Sequence, residues 1–215
     1  MEKIALAIVD MQKYYLESNS DYSRYFEHIY PGSLSYIREC SYNTVIPNIL
    51  KLKNCFKSLN LPVIYLRLCS KEPDRSDLHR FFKRTYEEGV SKGFAGVYPI
   101  ETDIAADIID ELKPDHEDII INKTTFSPFS SSDIEAVLKS LNVKVLVFTG
   151  LATSQCVETS ARDASDRGFD VFHIHDAQTD YSEIEHNASL YSSRAVCGGA
   201  VYDTDSFIQW LNESI

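Results

Sequence analysis

Four reactive side chains close or follow apolar runs of this chain: Asp10 after residues 4–9, Lys123 after residues 118–121, Cys156 shortly after residues 143–148, and Asp176 after residues 170–174. Three of them, Asp10, Lys123 and Cys156, are the parts of a nucleophilic site. A thiol attacks a carbonyl carbon, a carboxylate takes the thiol proton and later returns it, and an ammonium steadies the negative charge between them. Cys156 stands at the start of a helical pattern, where the helix dipole and unpaired N–H groups favour its thiolate. Each residue also has a plainer role on its own. Most cysteines are buried and structural, a carboxylate ending a strand often caps a turn, and a lone lysine is most often a solvated charge. Their common placement beyond strand ends, where parallel sheets hold their ligands, reverses that balance.

The elements that must position them alternate along the chain. Short β-branched runs at 4–9, 62–68, 118–121, 143–148 and 170–174, with a weaker one at 200–202, read as strands buried on both faces. Helical spacing occupies 43–59, with Pro47 in its first turn, then 104–112 up to Pro114, 132–141, 154–167 ending at Gly168, 183–194 and 206–212. This alternation predicts an α/β fold, a three-layer sandwich around a mostly parallel sheet of about six strands, as a single domain over residues 1–215. Two stretches break the pattern. Residues 14–42 hold seven of the 13 tyrosines, and residues 69–99 are charged and then glycine-rich. Both follow strand carboxyl ends, as a substrate lid or a subunit contact would.

Composition narrows the partners. Of 215 residues 44% are hydrophobic, and the formal net charge is −11, which argues against broad binding to nucleic acid or an anionic membrane. The five cysteines are odd in number and form no C-x-x-C pair, so neither a disulfide framework nor a zinc ribbon is expected. No apolar run reaches the length of a membrane span, and the expected compartment is the reducing cytoplasm. Asp77-Leu78-His79 imitates a metal-binding D-x-H sequence but lies far beyond the second strand, and His173 with His175 lacks a third ligand, so no metal is expected. No G-x-G-x-x-G or P-loop sequence is present, and no cofactor is expected. Arg67, Arg75, Arg80 and Arg84 are possible partners for a substrate carboxylate, although solvated surface is the default for most arginines.

Three segments in order carry a resemblance: residues 7–12 (AIVDMQ), 122–129 (NKTTFSPF) and 149–157 (TGLATSQCV), the last continuing through Ala161-Arg162-Asp163-Ala164. Residues 185–190 (EHNASL) also fit. The chain resembles the isochorismatase-like cysteine hydrolases, which include nicotinamidases, N-carbamoylsarcosine amidases, ureidoacrylate amidohydrolases and biuret hydrolases. The resemblance implies that fold with its Rossmann-like topology, a catalytic triad of Asp10, Lys123 and Cys156, and hydrolysis of a C–N bond in a small amide or ureide through a thioester. It also implies a cis peptide at Leu151–Ala152 and an oxyanion hole from the N–H groups of Ala152 and Cys156. Tyr15, Phe129 and Gln155 are the candidate substrate contacts, and a homodimer or homotetramer is expected. The wording around Cys156 is closer to the ureide-cleaving members. A vinyl-ether hydrolase of the isochorismatase type, which needs no nucleophilic thiol, and a non-catalytic α/β binding module are the alternatives.

Overall fold

The computed structural model describes residues 3–195 and 199–214; Cys197 lies outside them. Its strands are β1 (Lys3–Val9), β2 (Val63–Leu68), β3 (Ile119–Lys123), β4 (Val143–Gly150), β5 (Asp170–Gln178) and β6 (Ala200–Tyr202). They pair in parallel in the order β3-β2-β1-β4-β5-β6. The α-helices are α1 (Lys13–Leu16), α2 (Asp21–Ile29), α3 (Ser35–Cys40), α4 (Ile46–Ser58), α5 (Arg80–Ser91), α6 (Ile134–Ser140), α7 (Glu158–Asp166), α8 (Glu183–Ser193) and α9 (Thr204–Ser214). The chain is α/β, with helices covering both faces of the sheet, as the strand–helix alternation predicts.

Strand β1 shows how the layers arise. Its side chains alternate between faces, and all but the first are buried. Ile4, Leu6 and Ile8 join Phe56 of α4 and Phe207 of α9 in one core layer. Ala5, Ala7 and Val9 join Ile134 and Leu138 of α6 and Ala161 and Ala164 of α7 in the other. Each large side chain so buried contributes about 1.5–3 kcal/mol. The alanines on both sides of the second layer let α7 approach the sheet closely, which draws the residues preceding it toward the end of β1.

The sequence expectations need two corrections. Residues 104–112 form two separate single turns, Ile104–Ala106 and Asp110–Leu112, and not one helix. Between them the backbone pairs with the chain that follows β1: Lys13 N donates to Asp107 O (2.8 Å) and Ile109 N to Met11 O (3.1 Å). Helical hydrogen bonding is given up to those tertiary partners. Pro47 falls in the first turn of α4, as the spacing predicts. A wide turn at Ser41–Val45 joins α3 to α4, and it absorbs the proline, which has no N–H to return to the carbonyl four residues back. The second correction is that residues 14–42 and 69–99, which break the alternation, also hold helices. The first holds α1 to α3, with Ser20 capping α2 by accepting from Ser23 N (3.0 Å), and the second holds α5, capped by His79.

Gly150 sets the geometry where β4 leaves the sheet. Its φ is +100°, and a Cβ there would lie 2.1 Å from the Val9 carbonyl oxygen. Backbone cannot yield as a flexible side chain does, so the strand end accepts only glycine. Gly150→Ala should therefore destabilise the fold by roughly 3 kcal/mol or more. Urea unfolding checks this, and a loss below about 1 kcal/mol would contradict the close approach.

Candidate active site

The strand order changes direction between β1 and β4: β1 continues outward to β2 and β3, and β4 to β5 and β6. The crevice beyond such a switch point is where parallel sheets receive ligands. Asp10 ends β1, and Cys156 sits in the wide turn Thr153–Val157 that leads from β4 into α7. Lys123 arrives from β3, two strands away, a separation of roughly 10 Å. Its long side chain spans the end of β2 to reach the others, and the whole residue is buried.

The three groups converge. Lys123 Nζ donates to Asp10 Oδ2 at 2.9 Å, to Cys156 Sγ at 3.3 Å and to the Thr125 carbonyl at 3.3 Å. Asp10 Oδ1 is buried without a hydrogen-bond partner, and the Cys156 thiol is the proton donor beside the carboxylate. Asp10 adopts a left-handed conformation, φ +51°, which aspartate tolerates better than most residues. Its N–H is tied to Leu66 O (2.9 Å) and its carbonyl receives Gln12 N–H (2.8 Å). Gln12 then clamps the end of β2: its Oε1 accepts from Leu68 N (2.8 Å) and its Nε2 donates to Leu68 O (3.2 Å) and Ala106 O (2.7 Å).

The turn carrying Cys156 is held from β5 and α8. The buried Asp180 accepts Ser154 N–H at 2.6 Å and Tyr181 N–H at 2.8 Å. Thr153 N donates to Thr179 O (2.9 Å), and Thr153 Oγ1 meets His186 Nδ1 at 2.9 Å. The Leu151–Ala152 peptide bond is trans, which corrects the cis bond implied by the resemblance. Leu151 N is bound to Val9 O (2.9 Å), and extended Ala152 passes the chain on in an ordinary conformation. A non-proline cis bond would cost about 3–4 kcal/mol at that point.

Burial and charge fix the resting protonation. Burial pushes the Asp10 carboxyl up, and Lys123 opposes this only in part. Burial also pushes the Cys156 thiol up, the Asp10 carboxylate pushes it further, and Lys123 again counters in part. Burial alone would lower the Lys123 ammonium, but the charges of Asp10 and Cys156 outweigh it and hold it above its ordinary value. One cation cannot neutralise two adjacent anions in a dry site. Burial and the Asp10 charge favour the thiol form of Cys156, and the neighbouring charges favour the ammonium of Lys123. This corrects the thiolate expected from a helix start: Cys156 lies a turn inside the helical run, and its neighbours outweigh the dipole.

A cavity of about 20 Å³, room for about one water molecule, adjoins the thiol. Its base is Asp10, Leu151, Ala152, Gln155 and Cys156, and its roof is Tyr15, Leu16, Tyr22, Leu34, Ile37 and Tyr181. Tyr15 and Gln155 thus stand where substrate contacts were expected. Phe129 does not. It packs in the core layer that also holds Cys156, 5.9 Å from the Phe169 ring and outside the cavity lining. Leu16, Tyr22, Leu34, Ile37 and Tyr181 were not anticipated; clustered tyrosines in 14–42 were the only hint. Asp176 is also elsewhere, accepting from Thr204 N (2.9 Å) and Oγ1 (2.7 Å) at the start of α9. Asp77 is bound to Ser70 Oγ and Lys71 N, while His79 caps α5.

With this geometry established, comparison with known proteins is direct. The isochorismatase domain model matches residues 4–206, so the chain belongs to the isochorismatase family. It is 35% identical over 103 residues to the ureidoacrylate amidohydrolase of Acinetobacter baylyi, an alignment covering 47% of this chain and 42% of that protein. The chain thus spans about two fifths of the length of that relative. It is 30% identical over 149 residues to the isochorismatase family protein YrdC of Bacillus subtilis, covering 69% of this chain and 68% of that one. A cysteine hydrolase from Pseudomonas syringae pv. phaseolicola shares the fold, with TM-score 0.76 at 22% identity over 99% of this chain and 94% of its own.

The charge arrangement predicts opposite effects of two substitutions on the thiol. In the wild-type chain the rate of Cys156 alkylation should rise with pH, with a midpoint above that of a free cysteine. Asp10→Asn removes the neighbouring negative charge and keeps a residue suited to positive φ, so the midpoint should move down by at least about one pH unit. Lys123→Met removes the cation, so the midpoint should move up. Iodoacetamide labelling followed on the Cys156 peptide checks both, and an upward move in Asp10→Asn would contradict the arrangement.

Proposed function

We propose that the chain hydrolyses the C–N bond of a small amide or ureide, with Cys156 as nucleophile. The observation that carries this reading is the meeting of thiol, carboxylate and ammonium at one cavity. Asp10 takes the thiol proton as Sγ bonds to the substrate carbonyl carbon, and Lys123 stays charged beside both. The N–H groups of Ala152 and Cys156, residues that border the cavity, receive the oxyanion. Asp10 then returns the proton to the nitrogen, the C–N bond breaks, and ammonia or an amine leaves a thioester on Cys156. Water, losing a proton to Asp10, attacks the thioester, and the carboxylic or carbamic acid departs as the thiol is restored. The ureidoacrylate amidohydrolase relative supports the bond class. A vinyl-ether hydrolase would have no use for a thiol paired in this way.

The test is an ammonia-release screen over nicotinamide, ureidoacrylate, biuret, N-carbamoylsarcosine and simple aliphatic amides. At least one should be turned over, and Cys156→Ala should lower that rate by about 10⁴-fold or more while leaving the unfolding midpoint nearly unchanged. Hydrolysis retained in Cys156→Ala would overturn the mechanism.

A further inference from the structure

We propose that the substrate is uncharged beyond its scissile group: the cavity accepts neutral amides or ureides with a small flat or aliphatic substituent and excludes those bearing a carboxylate there. This deepens the amidohydrolase reading and rests on it for turnover, though not for binding. None of the described residues lining the cavity is Lys, Arg or His. The roof is supplied by Leu16, Leu34, Ile37 and three tyrosines. The charged group that borders the cavity is the carboxylate of Asp10, so a substrate carboxylate would enter a dry space beside a like charge.

Basic side chains around the cavity are directed to other partners. All three ammonium protons of Lys123 have acceptors, in Asp10, Cys156 and the Thr125 carbonyl. Arg38, next to Ile37 on α3, directs one terminal nitrogen to Ser23 Oγ and the Glu17 carbonyl, and its Nε is buried without a partner. Arg67 is bound to Asp107 (3.0 Å) and Asn122 (2.9 Å), and Arg75 to the Tyr98 carbonyl (3.1 Å).

Apart from Asp10, the polar side chains that face the cavity are neutral. Tyr22 and Tyr181 share a hydroxyl–hydroxyl contact of 3.2 Å, and burial pushes both phenols up, Tyr181 to about 12. With the Gln155 amide they can pair with a carbonyl or an N–H group, which a neutral amide or urea supplies. A substrate larger than water also requires the roof to move outward, and an apolar roof recloses best over an apolar group.

Two paired measurements on the unmodified chain test this. The first compares turnover of crotonamide with that of fumaramate, in which a carboxylate replaces the methyl group. Crotonamide should have the higher kcat/KM by about 100-fold or more. Equal or faster hydrolysis of fumaramate would overturn the inference while leaving the amidohydrolase reading intact. The second needs no turnover. It compares alkylation of Cys156 by iodoacetamide and by iodoacetate, in which the thiolate displaces iodide from reagents that differ in charge. The ratio of rates, followed on the Cys156 peptide by mass spectrometry, should exceed that for glutathione by about 30-fold or more. A ratio within a few-fold of glutathione's would overturn the inference. Strong selectivity for iodoacetamide in a chain that hydrolyses no amide would support the neutral cavity and remove the amidohydrolase reading.

Discussion

A single buried ammonium holds this site together. Lys123 is fully enclosed, and its three hydrogen bonds join the ends of three stretches of chain far apart in sequence. A lysine in such a place is costly unless its charge is matched, and a matched pair that loses one member typically forfeits about 3–5 kcal/mol. The match comes from Asp10, held in a left-handed turn at the end of β1. The same ammonium contacts the sulfur, so the interaction that reconciles the core to a buried charge also sets the chemistry of the thiol. Structure and reactivity depend on one atom.

The rest of the fold serves that contact. Strand order puts β1 and β4 side by side at the switch point, and glycine at 150 lets the two strand ends close to touching distance. Alanines of β1 and α7 draw the helix inward, and Asp180 with Thr153 fixes the turn from the other side. The Cys156 thiol therefore need not be ionised at rest. It is kept beside Asp10, the proton acceptor in the proposed attack, in a cavity with room for little else. That arrangement limits wasteful reaction of the sulfur with solvent-borne reagents.

The central strands were legible in the sequence because each is a short apolar run largely buried between the layers, while the edge strands β3 and β6 are only partly covered and β6 gave the weakest signal. The positions of Asp10, Lys123 and Cys156 at strand ends followed from it. The roof was not legible. Helices of four, nine and six residues in 13–40 are too short to show a clear period, and their tyrosines are buried by tertiary packing that no local pattern announces. Phe129 misled for a related reason. It stands six residues after Lys123, yet the chain between them turns it to pack near Phe169 and away from the cavity. The thiol state was misjudged because a helix dipole can be read from sequence, while burial and the Asp10 charge emerge only when the chain is folded.

The proposed mechanism turns on a covalent thioester at Cys156. Rapid-quench mass spectrometry of the chain mixed with an amide that it hydrolyses tests this most directly. The intact mass should rise transiently by that of the substrate less its amine, with the added acyl group on the Cys156 peptide and released by hydroxylamine. Steady hydrolysis with the acyl group on another residue would contradict the thioester.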